Sequence, residues 1–127
     1  MRQVIIQNST SPLAHPITAL YCDTFFCRLR GLTFRSELPP ERGLLLVQKR
    51  ESRLDTAIHM LAVWMDLAVV WLNRYYRVVD VRHARAWRPY YAPKGPAQYV
   101  LEMNVVHLPD FGIGDEVQLS GLLLNKG

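Results

Sequence analysis

The longest apolar run in the chain, Ala57 to Asn73 (AIHMLAVWMDLAVVWLN), is broken only by His59 and Asp66. A run this apolar belongs in the interior, because each exposed methylene forfeits about 0.8 kcal/mol. It is too short and too interrupted to span a bilayer, which takes about 20 uncharged apolar residues. Its β-branched and aromatic content, with Asp66 near the middle, predicts two buried strands joined by a tight turn around Val63 to Asp66. In the second of these, Leu67, Val69 and Trp71 point one way and Ala68, Val70 and Leu72 the other. Both faces are apolar, so this strand should be central and covered on both sides.

Shorter patterns fill in the rest. Gln3 to Gln7 and Ile17 to Tyr21 read as strands, separated by a turn at Asn8 to Pro12. Asp23 or Thr24 can cap a helix. Phe25, Phe26, Leu29 and Leu32 then follow at the spacing of one buried helical face, with Arg28 and Arg30 off it and Gly31 at its end. Two prolines make Ser36 to Gly43 a loop. Leu44 to Val47 is a short buried strand, and Gln48 to Asp55 is charged and exposed. Asn73 to Tyr76 is a hairpin turn with Arg77 to Arg82 as its return strand. Arg85 to Pro96 is a long loop. Gln98 to Asn104 alternates Tyr99, Leu101 and Met103 against Val100 and Glu102, as a half-buried strand does. Val105 to Leu108 is one helical turn ended by Pro109, Gly112 to Asp115 is a turn, and Glu116 to Leu119 is the last strand. Many short strands with one early helix predict a mainly β fold, a sandwich or small barrel.

Length and composition narrow this picture without changing it. The 127 residues make a single domain, residues 1–127, large enough for a real core. The net charge of +4 permits an acidic partner but does not demand one. The first residues, MRQVIIQNSTSPLAHP, hold no apolar stretch long enough for a signal peptide, so the expected compartment is the cytoplasm. Cys22 and Cys27, placed on one helix, would point to nearly opposite sides and stay unpaired. No CxxC or HxxxH spacing occurs, so no metal site and no cofactor is expected.

An ordered set of short motifs spans nearly the whole chain. It runs Asp23-Thr24, Arg28-Leu-Arg-Gly-Leu32, Leu38-Pro39, Gly43-Leu-Leu45, Ile58-His59, Val69-Val70-Trp71-Leu72, Trp87-Arg88, Tyr99-Val-Leu-Glu102 and Gly114-Asp115-Glu-Val117. This order resembles the family called domain of unknown function 192. The resemblance implies a jelly-roll-like β-sandwich and brings no reaction with it. The chain departs from the family pattern in three places. Asp66-Leu67-Ala68 stands where the family has Pro-Ile-Asp, so the acid is displaced about 7 Å along the strand. Val63 aligns with a methionine. Tyr76 occupies a position that the family gives to glycine. A tyrosine held in the left-handed region there would cost roughly 1–2 kcal/mol. The loop is therefore expected to change type and leave Tyr75 and Tyr76 at ordinary angles.

Candidate chemistry follows from residues that break their surroundings. His59 interrupts the apolar run, and Glu102 interrupts an alternating strand. One reading gathers His59, Asp66, Trp87, Arg88 and Glu102 around a cleft that binds a small polar or sugar-like ligand. A bland alternative pairs Glu102 with Arg88 or Arg82 and gives His59 a backbone partner. A third reading is a hydrolase-type enzyme using His59 with a carboxylate. A fourth takes Arg74, Arg77, Arg82 and Arg85, interleaved with Tyr75, Tyr76, Trp87, Tyr90 and Tyr91, as a nucleic-acid or protein interaction surface. No nucleophile motif, phosphate loop or zinc spacing is present, so the sequence assigns no catalytic residue.

Overall fold

The computed structural model describes residues 2–32 and 37–124. Seven strands appear in the order β1 (Arg2–Asn8), β2 (Ile17–Cys22), β3 (Arg42–Ser52), β4 (Leu67–Leu72), β5 (Val78–Ala84), β6 (Ala97–Asn104) and β7 (Val117–Leu124). A short helix α1 (Phe25–Arg30) follows β2, and a 3₁₀ helix (Val105–Asp110) follows β6 and runs through Pro109. The strands form one sheet in the spatial order β5-β4-β6-β3-β2-β1-β7. Every neighbouring pair is antiparallel except β2–β3. The mainly β class thus holds, as a single curled half-barrel.

The curl follows from where the apolar side chains go. All seven strands send residues to one buried cluster, among them Ile6, Ile17, Leu45, Val70, Val78, Leu101 and Val117. That cluster fills the concave side. The bridge between Arg77 and Glu116, with Val78 N–H donating to the Asp115 carbonyl, brings the two outer strands together at one end. A second cluster, built on Leu44, Leu46, Val69, Trp71 and Val100, lies on the convex side.

The one parallel pair decides what covers that convex face. Parallel strands need a crossover. The crossover from β2 to β3 carries α1, whose neighbours Cys22 and Leu32 belong to the convex cluster. Thr24 caps α1, accepting from Cys27 N–H, and Gly31 ends it at φ +50°. Phe25 is 65% exposed, so it does not belong to the buried face expected for it, and Leu32, though buried, lies beyond the end of α1. The side chains of Phe26, Leu29 and Arg30 lie outside the described residues, as does Ser36, the first residue of the 36–43 loop.

Three expectations are corrected. Ala57 to Asp66 is not a strand. It is loop in which buried Ile58, Met60 and Val63 alternate with exposed His59, Leu61 and Trp64, with one isolated bridge from Ile58 to Tyr91. β4 already has β5 on one edge and β6 on the other, so the preceding segment finds no free edge to pair with. Its backbone is satisfied instead by the Arg85 to Pro96 loop: Met60 N–H donates to Arg88 O and Trp87 N–H to Met60 O, both at 2.9 Å. Cys22 and Cys27 form a disulfide. They do not share a helix. Cys22 ends β2, Cys27 lies in α1, and the turn between them brings their Cα atoms to 5.6 Å. Finally, Tyr76 does sit at positive φ, +62°. The register shift between Trp71 and Leu72 places a bulge in the β4–β5 hairpin, and the turn keeps the geometry that glycine would favour.

Candidate functional site

β6 lies between β3 and β4, and Glu102 stands opposite Leu44 on one side and Val69 on the other. Alternation along β6 turns Val100 and Glu102 toward the convex face. Every residue of β4 is buried, and so is the middle of β6, so the carboxyl lies inside an apolar layer. Glu102 is 4% exposed. Its Oε1 has no hydrogen-bond partner among the described residues. Burial alone pushes its carboxyl up to about 7.

Glu102 lies on the floor of a cavity of about 170 Å³. One wall is the end of α1, contributing Arg28, Gly31 and Leu32. Gly31 sits close over the floor: a Cβ there would lie 3.8 Å from Glu102 Oε1. The opposite wall is the Asp55 to His59 segment, with Val63 behind it, and β3 adds Leu46 and Gln48. This wall is fixed by polar ties to the sheet. Trp71 Nε1 donates to the Thr56 carbonyl at 2.7 Å, and Gln48 Nε2 donates to the Asp55 carbonyl at 2.8 Å. Ile58 and Tyr91 exchange backbone bonds of 2.8 and 2.9 Å. Ile58 and Met60 are buried, so His59 between them faces outward and stands exposed at the rim. Arg28 is half-buried. Its Nη1 donates to the Asp23 carbonyl at 2.6 Å and the Val47 carbonyl at 3.1 Å, which hold the guanidinium in place.

Of the five ligand candidates read from the sequence, this cavity brings together His59 and Glu102. Asp66 lies elsewhere, in a shallower depression with Leu38 and Asn104. It accepts from the Ala86 N–H and contacts His83 Nε2, both at 2.8 Å. These contacts hold its carboxyl below the usual aspartate value, the Ala86 bond contributing most. Trp87 adopts φ +66° and meets Trp64 edge-on at a centroid distance of 5.0 Å. Arg88 is exposed and enters the architecture through its carbonyl. Neither lines the cavity. The pairing of Glu102 with Arg88 or Arg82 is not formed; Arg82 instead lies 3.4 Å from the buried Asp80.

The hairpin arginines do not make one patch. Arg74 stacks over Tyr75, and Arg77 bonds the Gly114 carbonyl and lies 3.5 Å from Glu116. Arg85 is at the far end of β5, about 25 Å away at 3.3 Å per residue. Arg28, Gln48 and Asp55 were not singled out from the sequence. Arg28 looks like any outward arginine of an amphipathic helix, and only the crossover places it over the sheet. Among the described residues, no group of three or more His, Cys, Asp or Glu is placed to hold a metal ion, and no helix is long and apolar enough to cross a membrane.

Comparison with known proteins agrees with this architecture. The DUF192 family model, described as Uncharacterized ACR, matches residues 4–120. A UPF0127 protein of Thermococcus gammatolerans is 44% identical over 95 residues, covering 73% of this chain and 60% of that relative. A UPF0127 protein of Thermococcus sibiricus is 37% identical over 97 residues, covering 75% of this chain and 61% of that relative. The chain thus spans about three fifths of the length of these relatives. The crystal structure of a protein of unknown function from Novosphingobium aromaticivorans matches with a TM-score of 0.77 at 21% identity, over 91% of this chain and 83% of that one. At that identity the likeness shows the fold alone.

Proposed function

The chain belongs to the DUF192 family, and on that premise we propose that it is a binding domain for a small polar ligand held in the Glu102 cavity. The observation that carries this reading is the unpartnered Glu102 Oε1 at the cavity floor. A buried carboxyl without a hydrogen bond forfeits roughly 1–3 kcal/mol or more. Such a group calls for an explanation, and a donor arriving from outside supplies one. The volume supports a ligand of a few heavy atoms, since an apolar cavity of about 150 Å³ is known to take benzene. Arg28, Gln48, Asp55 and His59 supply orienting groups around the mouth. A jelly-roll-like architecture and a cytoplasmic setting belong to the same proposal. The Cys22–Cys27 bond weighs against an ordinary cytoplasm, because such bonds persist in oxidising compartments and, among cytoplasms, in those of hyperthermophiles.

The test is a fragment screen by amide-resolved NMR. Amide shifts confined to Gly31, Ile58, His59 and Val100 to Met103 support the cavity. A library of small polar molecules that moves none of these amides, or moves only the Trp64–Trp87 loops, overturns it.

A further inference from the structure

The cavity lining holds an acid, Glu102, and a base, Arg28, that do not meet. Glu102 is on the floor and Arg28 on the α1 wall, yet Oε1 has no partner and no ion pair joins the two residues among the described residues. Arg28 is held by two backbone carbonyls through Nη1, and its other guanidinium N–H groups have no protein acceptor among the described residues. Other polar residues on the lining are Gln48 from β3 and Asp55, Thr56 and His59 from the loop. β4 and Val63 present only apolar surface.

Building on the cavity reading, we infer that the ligand is a small zwitterion, an amino acid of about glycine to aminobutyrate size, with its ammonium on Glu102 and its carboxylate toward Arg28. Charge complementarity separates this class from its rivals. An ionised buried carboxylate only accepts hydrogen bonds. A hydroxyl ligand would satisfy Oε1 and leave the buried charge in place. An ammonium donates to the carboxylate and also balances its charge, which is worth more where water is excluded. A simple amine would leave the free Arg28 N–H groups without an acceptor, even with Asp55 on the lining to offset their charge. A simple carboxylate would leave Glu102 without a donor. A molecule carrying both groups serves both walls. The volume of about 170 Å³ leaves room for about six heavy atoms. The burial that raises the Glu102 carboxyl to about 7 also couples binding to a proton, since the ammonium needs the ionised form.

The experiment titrates the wild-type protein with β-alanine, propylamine, propionate and glycerol by calorimetry and NMR at pH 7.5. β-Alanine is expected to bind at least tenfold more tightly than either singly charged analogue, and to lose at least tenfold at pH 5.5. Glu102→Gln should abolish that preference with an otherwise unchanged amide spectrum. In the wild type, bound β-alanine should lower the midpoint at which the Glu102 carboxyl carbon titrates. If glycerol or propylamine binds as well as β-alanine, the ligand class is overturned and the cavity reading stands. If none of the probes perturbs the cavity amides, the ligand class fails, and a blank fragment screen then removes the cavity reading as well.

Discussion

Tyr76, held at φ +62°, lays its ring against Tyr99 with centroids 4.9 Å apart. The contact explains why a tyrosine occupies a position that suits glycine. The left-handed conformation costs roughly 1–2 kcal/mol. An aromatic pair returns about 0.5–1.5 kcal/mol beyond its buried area. Tyr76 also packs on the concave core, and its carbonyl accepts from Val117 N–H at 2.9 Å. Strain and packing can be separated by two variants. Tyr76→Ala loses the ring and keeps the strain, whereas Tyr76→Gly loses the ring and relieves it. Chemical denaturation should find Tyr76→Gly more stable than Tyr76→Ala by about 1 kcal/mol, the reverse of the usual order. Equal stabilities would mean that the left-handed angle is not strained.

Glu102 makes stability depend on pH in a direction unusual for an acid. Its carboxyl moves from an ordinary value of 4.5 up to about 7 in the folded chain, through burial. Ionisation is therefore resisted only when the chain is folded. The contribution is fully present below about pH 4.5 and is lost as pH rises through about 7. The total is on the order of 3 kcal/mol. Glu102→Gln cannot ionise, so it should match wild type near pH 4.5 and exceed it by up to a few kcal/mol near pH 8. Denaturation midpoints of both proteins across that range measure it. Wild-type stability that rises between pH 5 and 8 relative to Glu102→Gln would show a carboxylate with a hidden partner.

What the sequence made legible was periodicity, and what it concealed was partnership. The alternation through Leu67 to Leu72 identified β4 and both of its faces, because a strand covered on both sides has apolar residues at every position. In β6, the acid at Glu102 breaks a run of buried positions and marks the cavity floor. The segment Ala57 to Asp66 has the same apolar character and is not a strand. Composition overstated its burial, since Leu61 and Trp64 are exposed, and strand formation also needs a free edge, which depends on the order of all seven strands. Cys22 and Cys27 were misread for a related reason: their separation was measured along a helix, when the chain changes element between them. The Asp66–His83 contact belongs to the same class. It follows from the β4–β5 register, which pairs Leu67 with Ala84 and Ala68 with His83, and no local pattern announces it.

Trp71 is fully buried, and its indole N–H is spent on the Thr56 carbonyl at 2.7 Å. This bond ties the cavity's outer wall to the most buried strand of the sheet. Trp71→Phe would leave that carbonyl without its donor and open a void on the convex side. The expected cost is about 2–4 kcal/mol, and residues 55–59 should exchange their amides faster than before. In the wild type, the Leu67 to Leu72 amides should be among the slowest to exchange, since β4 is bonded on both edges and covered on both faces. Fast exchange there would remove β4 from the centre of the fold.

The Cys22–Cys27 bond anchors α1 to the sheet beside the cavity, since Cys22 pairs with Leu46 of β3 and Arg28 follows Cys27. The loop it closes is short. Chain entropy alone therefore predicts a modest stabilisation of about 2 kcal/mol. Cys22 is nearly inaccessible and would behave as a small apolar residue once reduced, so the cleaner variant is Cys27→Ala. That variant should lower stability by about 2 kcal/mol at a pH where Glu102 is protonated. Faster amide exchange should concentrate at α1 and Gly31 and leave β4 and β6 unchanged. Thiol titration of the purified wild type in denaturant, without reductant, should find no free thiol. Two reactive thiols in that titration would mean that the cysteines are unpaired, and the end of α1 would then be held over Glu102 by packing alone.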